Sequence, residues 1–422
     1  MPRPLSLHPD RLFPADPGAR AIARELHARV ARLPIVSPHG HADPRWFADN
    51  APFSNAAELL VAPDHYLFRM LRSQGVDLAS LGVPDAEGRV GADPREAWRV
   101  FASHAHLFRA TPSALWLDTV FAEVFGFEVR LDATTADFYF DRIGEALAQP
   151  AFRPRALFER FGIEVLATTD AAQDPLEAHR AIRASGWGGR VIPTYRPDAA
   201  VDPEAPGFAA AIDALGALTG EDVDSWSGYL AAHRGRRTVF RELGATATDH
   251  GHPTAATADL APREAEALFA RVRRPSPTPQ DAELFRAQML TEMARMSVDD
   301  GMVMQLHPGV FRSHDTRLLR RFGRDKGADI PVAAEYVHAL RPLLNRFGDA
   351  PGFTLVVFTL DESTYARELA PLAGVYPALK LGPAWWFNDS PEGIRRFREQ
   401  TTETAGFYNT VGFNDDTRAF LS

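Results

Sequence analysis

Short apolar runs rich in Val, Ile, Leu and Thr recur along the chain, and most end in polar side chains able to do chemistry. The first, Leu33 to Val36, runs into Ser37-Pro-His-Gly-His41. Runs return at Ile163 to Thr168 before Asp170, at Val191 to Tyr195 before Arg196, and at Ala245 to Thr248 before Asp249-His250. They continue at Met302 to Leu306 before His307, at Phe353 to Leu360 before Asp361, at Leu379 to Leu381 before Trp385-Trp386, and at Thr410 to Phe413 before Asp415-Asp416. Helical spacing separates most of them, as in 263–272 and 282–296, where Leu284, Met289, Met293 and Met296 form a packing stripe. Eight strand candidates alternating with helices, each polar at its C-terminal end, predict an α/β fold, a (β/α)8 TIM-type barrel with its site on that face. A doubly wound open sheet fits less well, because no Gly-rich phosphate loop follows the first run.

Between the first two runs the pattern turns helical, as in Tyr66, Met70 and Leu71 or Trp98, Phe101 and Leu107. The expected organisation is therefore residues 1–44 as an N-terminal segment with the first strand, 45–160 as a helical insertion, and 161–422 as the remainder of the barrel.

Composition narrows the function. Lys and Arg number 46 against 55 Asp and Glu, a net charge of -9, which argues against a nucleic-acid partner. No run approaches the ~18 apolar residues of a membrane span, and residues 1–14 lack a signal-peptide core, so a cytoplasmic protein with no membrane partner is expected. The absence of cysteine removes disulfides, thiolate metal sites and a cysteine nucleophile. Any metal must sit on histidines and carboxylates.

Three His-x-His pairs compete for that role. Residues two apart in a strand point to one face and can reach one ion, whereas on a helix they diverge. His104 and His106 fall in a helical pattern and are the weakest pair; His250 and His252 follow a short strand, as do His39 and His41. The wider constellation favours the last pair: His307 ends the fifth strand, Asp416 ends the eighth, and barrel closure sets strands one and eight side by side. His39, His41, His307 and Asp416 would supply nitrogen and oxygen ligands suited to one divalent metal ion, Zn²⁺ or Mn²⁺. Asp170 and His250, ending strands two and four, are second-tier candidates or hydrogen-bond partners of the ligands.

With these residues in view, the sequence resembles the uronate (glucuronate) isomerases of the amidohydrolase superfamily over nearly its whole length. The resemblance is carried by Leu381-Gly-Pro-Ala-Trp-Trp-Phe-Asn-Asp389 and Val411-Gly-Phe-Asn-Asp-Asp-Thr-Arg-Ala-Phe-Leu-Ser422, supported by Asp64-His-Tyr-Leu-Phe-Arg69, Thr168-Thr-Asp170, Arg196-Pro-Asp198, Asp249-His-Gly251 and Gln305-Leu-His307. It implies aldose-ketose isomerisation of hexuronates, D-glucuronate to D-fructuronate and D-galacturonate to D-tagaturonate. It also implies that His39, His41, His307 and Asp416 form the metal site and that Arg418 lies near the reacting carbons. Tyr66 and Arg196 would hold the sugar acid, and Trp385 or Trp386 would wall the pocket. Such a reaction takes a proton from C2, returns one to C1 and stabilises an enediolate between them. Asp416 is expected to relay protons, Arg418 to offset the developing charge, and Arg196 to bind the substrate carboxylate.

Three positions depart from the family pattern: Ser37-Pro-His-Gly-His41, Leu360-Asp-Glu362, and Asp415 with Thr417. The ligand types survive all three. Since the chain stops just after the eighth strand motif, the outer flank of strands eight and one is expected to lack a covering helix, consistent with an omitted tail. That flank or the insertion could serve a homo-oligomer. The rival activities are a metal-dependent hydrolase of a small acidic substrate and a sugar-acid binding protein without turnover.

Overall fold

The computed structural model describes residues 3–412, 414 and 416–421. Its centre is a ring of parallel strands in sequence order. Strand β1 (Ile35–Ser37) pairs with β2 (Ile163–Ala167) through Val36↔Val165, and β2 pairs with β3 (Arg190–Ile192) through Leu166↔Val191. Beyond Thr168 the second strand resumes at Asp170–Ala171 against Tyr195–Arg196. Tyr195 hands the ladder to Thr248 of β4 (Ala247–His250). From there β4 pairs with β5 (Val303–Leu306), β5 with β6 (Leu355–Val357), and β6 with β7 (Leu379–Leu381).

The eighth position is held by fewer bonds than the apolar run Thr410 to Phe413 predicts. Leu381 bridges Thr410 in parallel, with Val411 N donating to Leu381 O at 2.9 Å. His41 N then donates to Thr417 O at 2.8 Å, returning the chain of hydrogen bonds to the end of β1. Phe413, Asp415 and Ser422 lie outside the described residues. The (β/α)8 barrel expected from the alternating runs is thus the architecture observed.

Parallel strands covered on both faces are apolar on both, which is why they read as runs rather than alternations. Leu355, Val357, Met304 and Leu306 turn outward into the main core, against helices that include Pro279–Asp300. Met289, Met293 and Met296 of that helix are buried as the stripe predicted, whereas Leu284 is exposed. Residues 45–160 contain helices such as Pro44–Asp49, His65–Ser73, Pro94–Ser103 and Ala136–Leu147. Several of these start at an Asp N-cap, for example Asp64 accepting from Tyr66 N and Leu67 N. Their aromatic side chains, among them Phe47, Trp98, Phe101 and Tyr139, share a core with Leu166 and Val191 of the barrel.

One flank is open. Helix Pro17–Val30 buries none of its residues, and Ile35 and Val36 of β1 stay 48% and 56% exposed. No helix among the described residues is long and apolar enough to cross a membrane.

Candidate active site

The C-terminal ends of the strands open into a cavity of about 420 Å³ lined by His39, His41, Arg196, His307, Trp385, Trp386, Asp416 and Arg418. Eight of the residues singled out from sequence therefore meet in one place. Ser313, Asp325, Trp386 and Asp416 line the same cavity and all adopt positive φ without being glycine. Backbone strain of this kind costs of order 1–3 kcal/mol per residue and collects where a side chain must be aimed.

At the cavity floor, His39 and His41 follow β1 and turn toward Asp416. Asp416 Oδ1 lies 3.4 Å from His39 Nε2 and 3.2 Å from His41 Nε2, and it is buried with no partner of hydrogen-bond geometry among the described residues. The other oxygen, Oδ2, accepts from Trp385 Nε1 at 3.3 Å. Burial would raise the Asp416 pKa, but the two imidazoles beside it hold it well below the carboxylate range. Burial, reinforced by the Arg418 charge, pushes His41 down to about 4, so its ring is neutral near pH 7. An ionised carboxylate and imidazole nitrogens within 4.8 Å of one another fit a divalent cation in ligand type. His41 is neutral, whereas at His39 burial is outweighed by the Asp249 and Asp416 charges, which raise the pKa, so a cation there displaces a proton.

A second group shares His39. Asp249 and His307 also lie within 4.8 Å of it, but here the carboxylate is already engaged. His307 Nδ1 is 2.6 Å from Asp249 Oδ1, and Arg196 Nη1 is 3.0 Å from Asp249 Oδ2. Burial opposes the ionised form of Asp249, yet Arg196 and the two histidines keep its pKa well below normal. His307, expected beside Asp416, instead pairs with Asp249 and is packed between His39 and Phe358, with ring centroids 4.5 and 4.0 Å away. Trp385 closes the stack edge-on at 4.6 Å.

Arg196 enters the cavity between two acids, with its Nε donating to Asp198 Oδ2 at 2.7 Å. Its charge is offset before any ligand arrives. Arg418 contrasts with it: no carboxylate lies within ion-pair distance among the described residues, and its Nε is buried without a partner. Trp386 forms a wall with the Arg312 guanidinium 5.3 Å above its ring, and Asp329 pairs with Arg312 at 2.9 Å. Tyr66 is beside this wall but does not line the cavity. Its hydroxyl is buried without a partner, and burial together with the Asp416 charge raises its pKa well above 10.

The two second-tier residues face away. His250 shares its face of β4 with Thr248, whose Oγ1 lies 3.0 Å from His250 Nε2, while Asp249 between them reaches the site. Asp170 accepts from Thr168 Oγ1 at 2.6 Å, near His179 of the next helix, and its neighbours Thr169 and Ala171 line the cavity. His104 and His106 stack at 6.4 Å in the insertion, away from the site. Asp249, Arg312, Asp329 and Phe358 were missed. Asp249 had a signal in sequence, its place beside His250 at the end of an apolar run.

Comparison with known proteins adds an independent line. The family described as glucuronate isomerase matches residues 18–422. The chain is 69% identical over 422 residues to a uronate isomerase of Phenylobacterium zucineum (strain HLK1), covering 100% of this chain and 88% of that protein. It is 68% identical to a uronate isomerase of Xanthomonas campestris pv. campestris (strain B100), covering 100% and 90%. The fold is similar to the crystal structure of glucuronate isomerase from Caulobacter crescentus, with a TM-score of 0.98, 64% identity, and 99% of this chain and 88% of that one covered. For a uronate isomerase from Thermotoga maritima the TM-score is 0.90 at 26% identity, with 99% and 89% covered.

Proposed function

The chain belongs to the glucuronate isomerase family, and from that membership we propose how its cavity interconverts aldose and ketose hexuronates. The substrates in this reading are D-glucuronate, giving D-fructuronate, and D-galacturonate, giving D-tagaturonate, in the cytoplasm. The observation that carries it is the convergence of His39, His41 and Asp416 beside Arg418 at the floor of one cavity.

His39, His41 and Asp416 would hold one Zn²⁺ or Mn²⁺, with the neutral His307 next to them. Such an ion supplies a Lewis acid that orients and polarises substrate oxygens. Asp416, ionised and supported on its far oxygen by Trp385, takes the proton from C2 and returns one at C1. Arg418, with no carboxylate within ion-pair distance among the described residues, donates to the oxygens on which enediolate charge develops. Arg196 keeps Nη2 available while Asp198 and Asp249 fix the rest of the guanidinium, so it orients the sugar acid through one edge. Trp385 and Trp386 shape the wall, and Tyr66, packed behind it, is the remaining candidate for holding the sugar acid.

The rival hydrolase is not favoured, since the similar proteins at 69% and 68% identity are uronate isomerases. The test strips the protein of metal, reloads it with Zn²⁺ or Mn²⁺, and follows D-glucuronate and D-galacturonate in D₂O by proton NMR. Metal-dependent appearance of the ketose acid is expected. Uronate binding without conversion would overturn the proposal.

A further inference from the structure

Among the charged groups around the cavity, Asp249 touches three site residues, His39, His307 and Arg196, while lining none of the space itself. It is fully buried at the end of β4. Strand parity turns it inward where its neighbour His250 turns out. One oxygen meets His307 Nδ1 at 2.6 Å; the other meets Arg196 Nη1 at 3.0 Å and lies 4.0 Å from His39 Nδ1. The carboxylate thus bridges strands one, three, four and five.

The packing explains why one carboxylate could matter so much. His307 is held by ring faces on both sides, His39 at 27° and Phe358 at 14° between planes. Those stacks block tilting but leave rotation of the ring in its own plane unopposed. The Asp249 oxygen 2.6 Å from Nδ1 is an ion-pair contact that opposes that rotation and favours the proton on Nδ1, leaving the lone pair on Nε2; among the described residues neither ring nitrogen has a partner with hydrogen-bond geometry. The Arg196 side is likewise determined at two points, Nε on Asp198 and Nη1 on Asp249, and Asp198 is itself fixed by Gly251 N at 3.1 and 3.2 Å. A guanidinium held at both sites has a single orientation. With either acid removed it pivots about the other.

We propose that Asp249 is the positioning residue of this site: its carboxylate sets the tautomer and ring orientation of His307 with one oxygen and aims Arg196 at the sugar acid with the other. The proposal rests on the isomerase reading above. Asp249 touches no substrate in it; its engagement with Arg196 and His307 leaves it a support rather than a ligand, and its approach to His39 Nδ1 at 4.0 Å links that support to the metal site.

The experiment compares wild-type protein with Asp249→Asn, which keeps the shape and one acceptor but loses the charge. Three quantities are read: metal affinity and stoichiometry by competition with a chromophoric chelator, kcat and KM for D-glucuronate, and the thermal midpoint. One metal per chain is expected to remain, with affinity weakened about 10-fold, the lower end of what the loss of a supporting partner costs. A fall in kcat/KM of about 100-fold is expected, with both kcat and KM changed, because two groups are misaimed together. A purely structural role would move the midpoint and the active fraction alone. Asp249→Glu, which restores the charge, is expected to recover part of the KM change, and it carries the test if the Asn variant does not fold. Loss of all metal binding in a folded Asp249→Asn would make Asp249 a ligand and overturn the proposal, as would wild-type KM, kcat and metal affinity. Failure of the isomerase reading shows separately, as absence of ketose from the wild-type protein.

Discussion

Replacing Gly251 by Ala tests the placement of Arg196 without touching Arg196. A Cβ at this position would lie 2.2 Å from Arg196 Nη2 and 2.8 Å from Asp198 Oδ2, whereas ordinary contact begins at 3.4 Å. The guanidinium end must therefore retreat by about 1.2 Å, the difference between 3.4 and 2.2. On a free arginine such a shift is cheap. Here Nε is held by Asp198 at 2.7 Å and Nη1 by Asp249 at 3.0 Å, so the retreat stretches at least one ion pair and turns the open edge away from the cavity. Misplacement by about 1 Å costs roughly 100-fold in rate, equivalent to about 2.7 kcal/mol of transition-state stabilisation. The assay is kcat/KM for D-glucuronate, with the thermal midpoint to establish that the barrel is intact. Arg196→Met by itself is expected to lower kcat/KM at least about 10-fold, the loss of one charge-assisted contact. In that background Gly251→Ala has no Nη2 to displace, so it should add no more than about a twofold change. Losses that multiply in the double variant, or a Gly251→Ala enzyme with wild-type kinetics, would refute the reasoning.

Other perturbations report on the remaining parts. Asp416→Asn removes the anion shared by His39 and His41 and should release the metal on dialysis, with turnover down at least about 100-fold; metal analysis and NMR check both. Arg418→Met should lower kcat about 100-fold with a smaller change in KM, because its work is done on the developing charge, and steady-state kinetics read the split. Asp170 offers a pH test away from the site: burial pushes its carboxyl up from 3.8 to about 7. The folded value lies above the unfolded one, so the contribution favouring the fold is complete below about pH 4 and is lost as pH rises to 7 and beyond. Asp170→Asn keeps a neutral group there, and its stability relative to wild type should improve between pH 5 and pH 8 by about 3 kcal/mol, the part of the linkage that falls in that window; urea unfolding at both pH values measures it.

Much of the architecture and part of the site are legible in the sequence. A barrel strand is apolar on both faces because helices cover one and the packed interior the other, so β5 to β7 stand out as short runs rich in Val, Leu and Met. Each must end where polar loops begin, so the pattern alone gathers His39, His41, His307, Arg196 and Asp416 at one end of the barrel. The His-x-His spacing after β1 and the Trp385-Trp386 pair follow from local pattern alone. The eighth strand was harder to place, since a single bridge at Thr410 and the His41 to Thr417 bond do the work that a full ladder does elsewhere.

What sequence alone determined, then, was the list of strand ends and the chemistry each could bring. Which side chain at a strand end faces the axis was decided by tertiary structure. Period-two alternation is written in the chain, but its phase is set by twist, stagger and pairing around the closed ring. That phase turns Asp249 in and His250 out, and Thr169 and Ala171 in and Asp170 out. Partner choice is tertiary for the same reason. Arg196 carries the same charge wherever it lies, but only the assembled barrel sets Asp198 and Asp249 against it and hands His307 to Asp249 instead of Asp416.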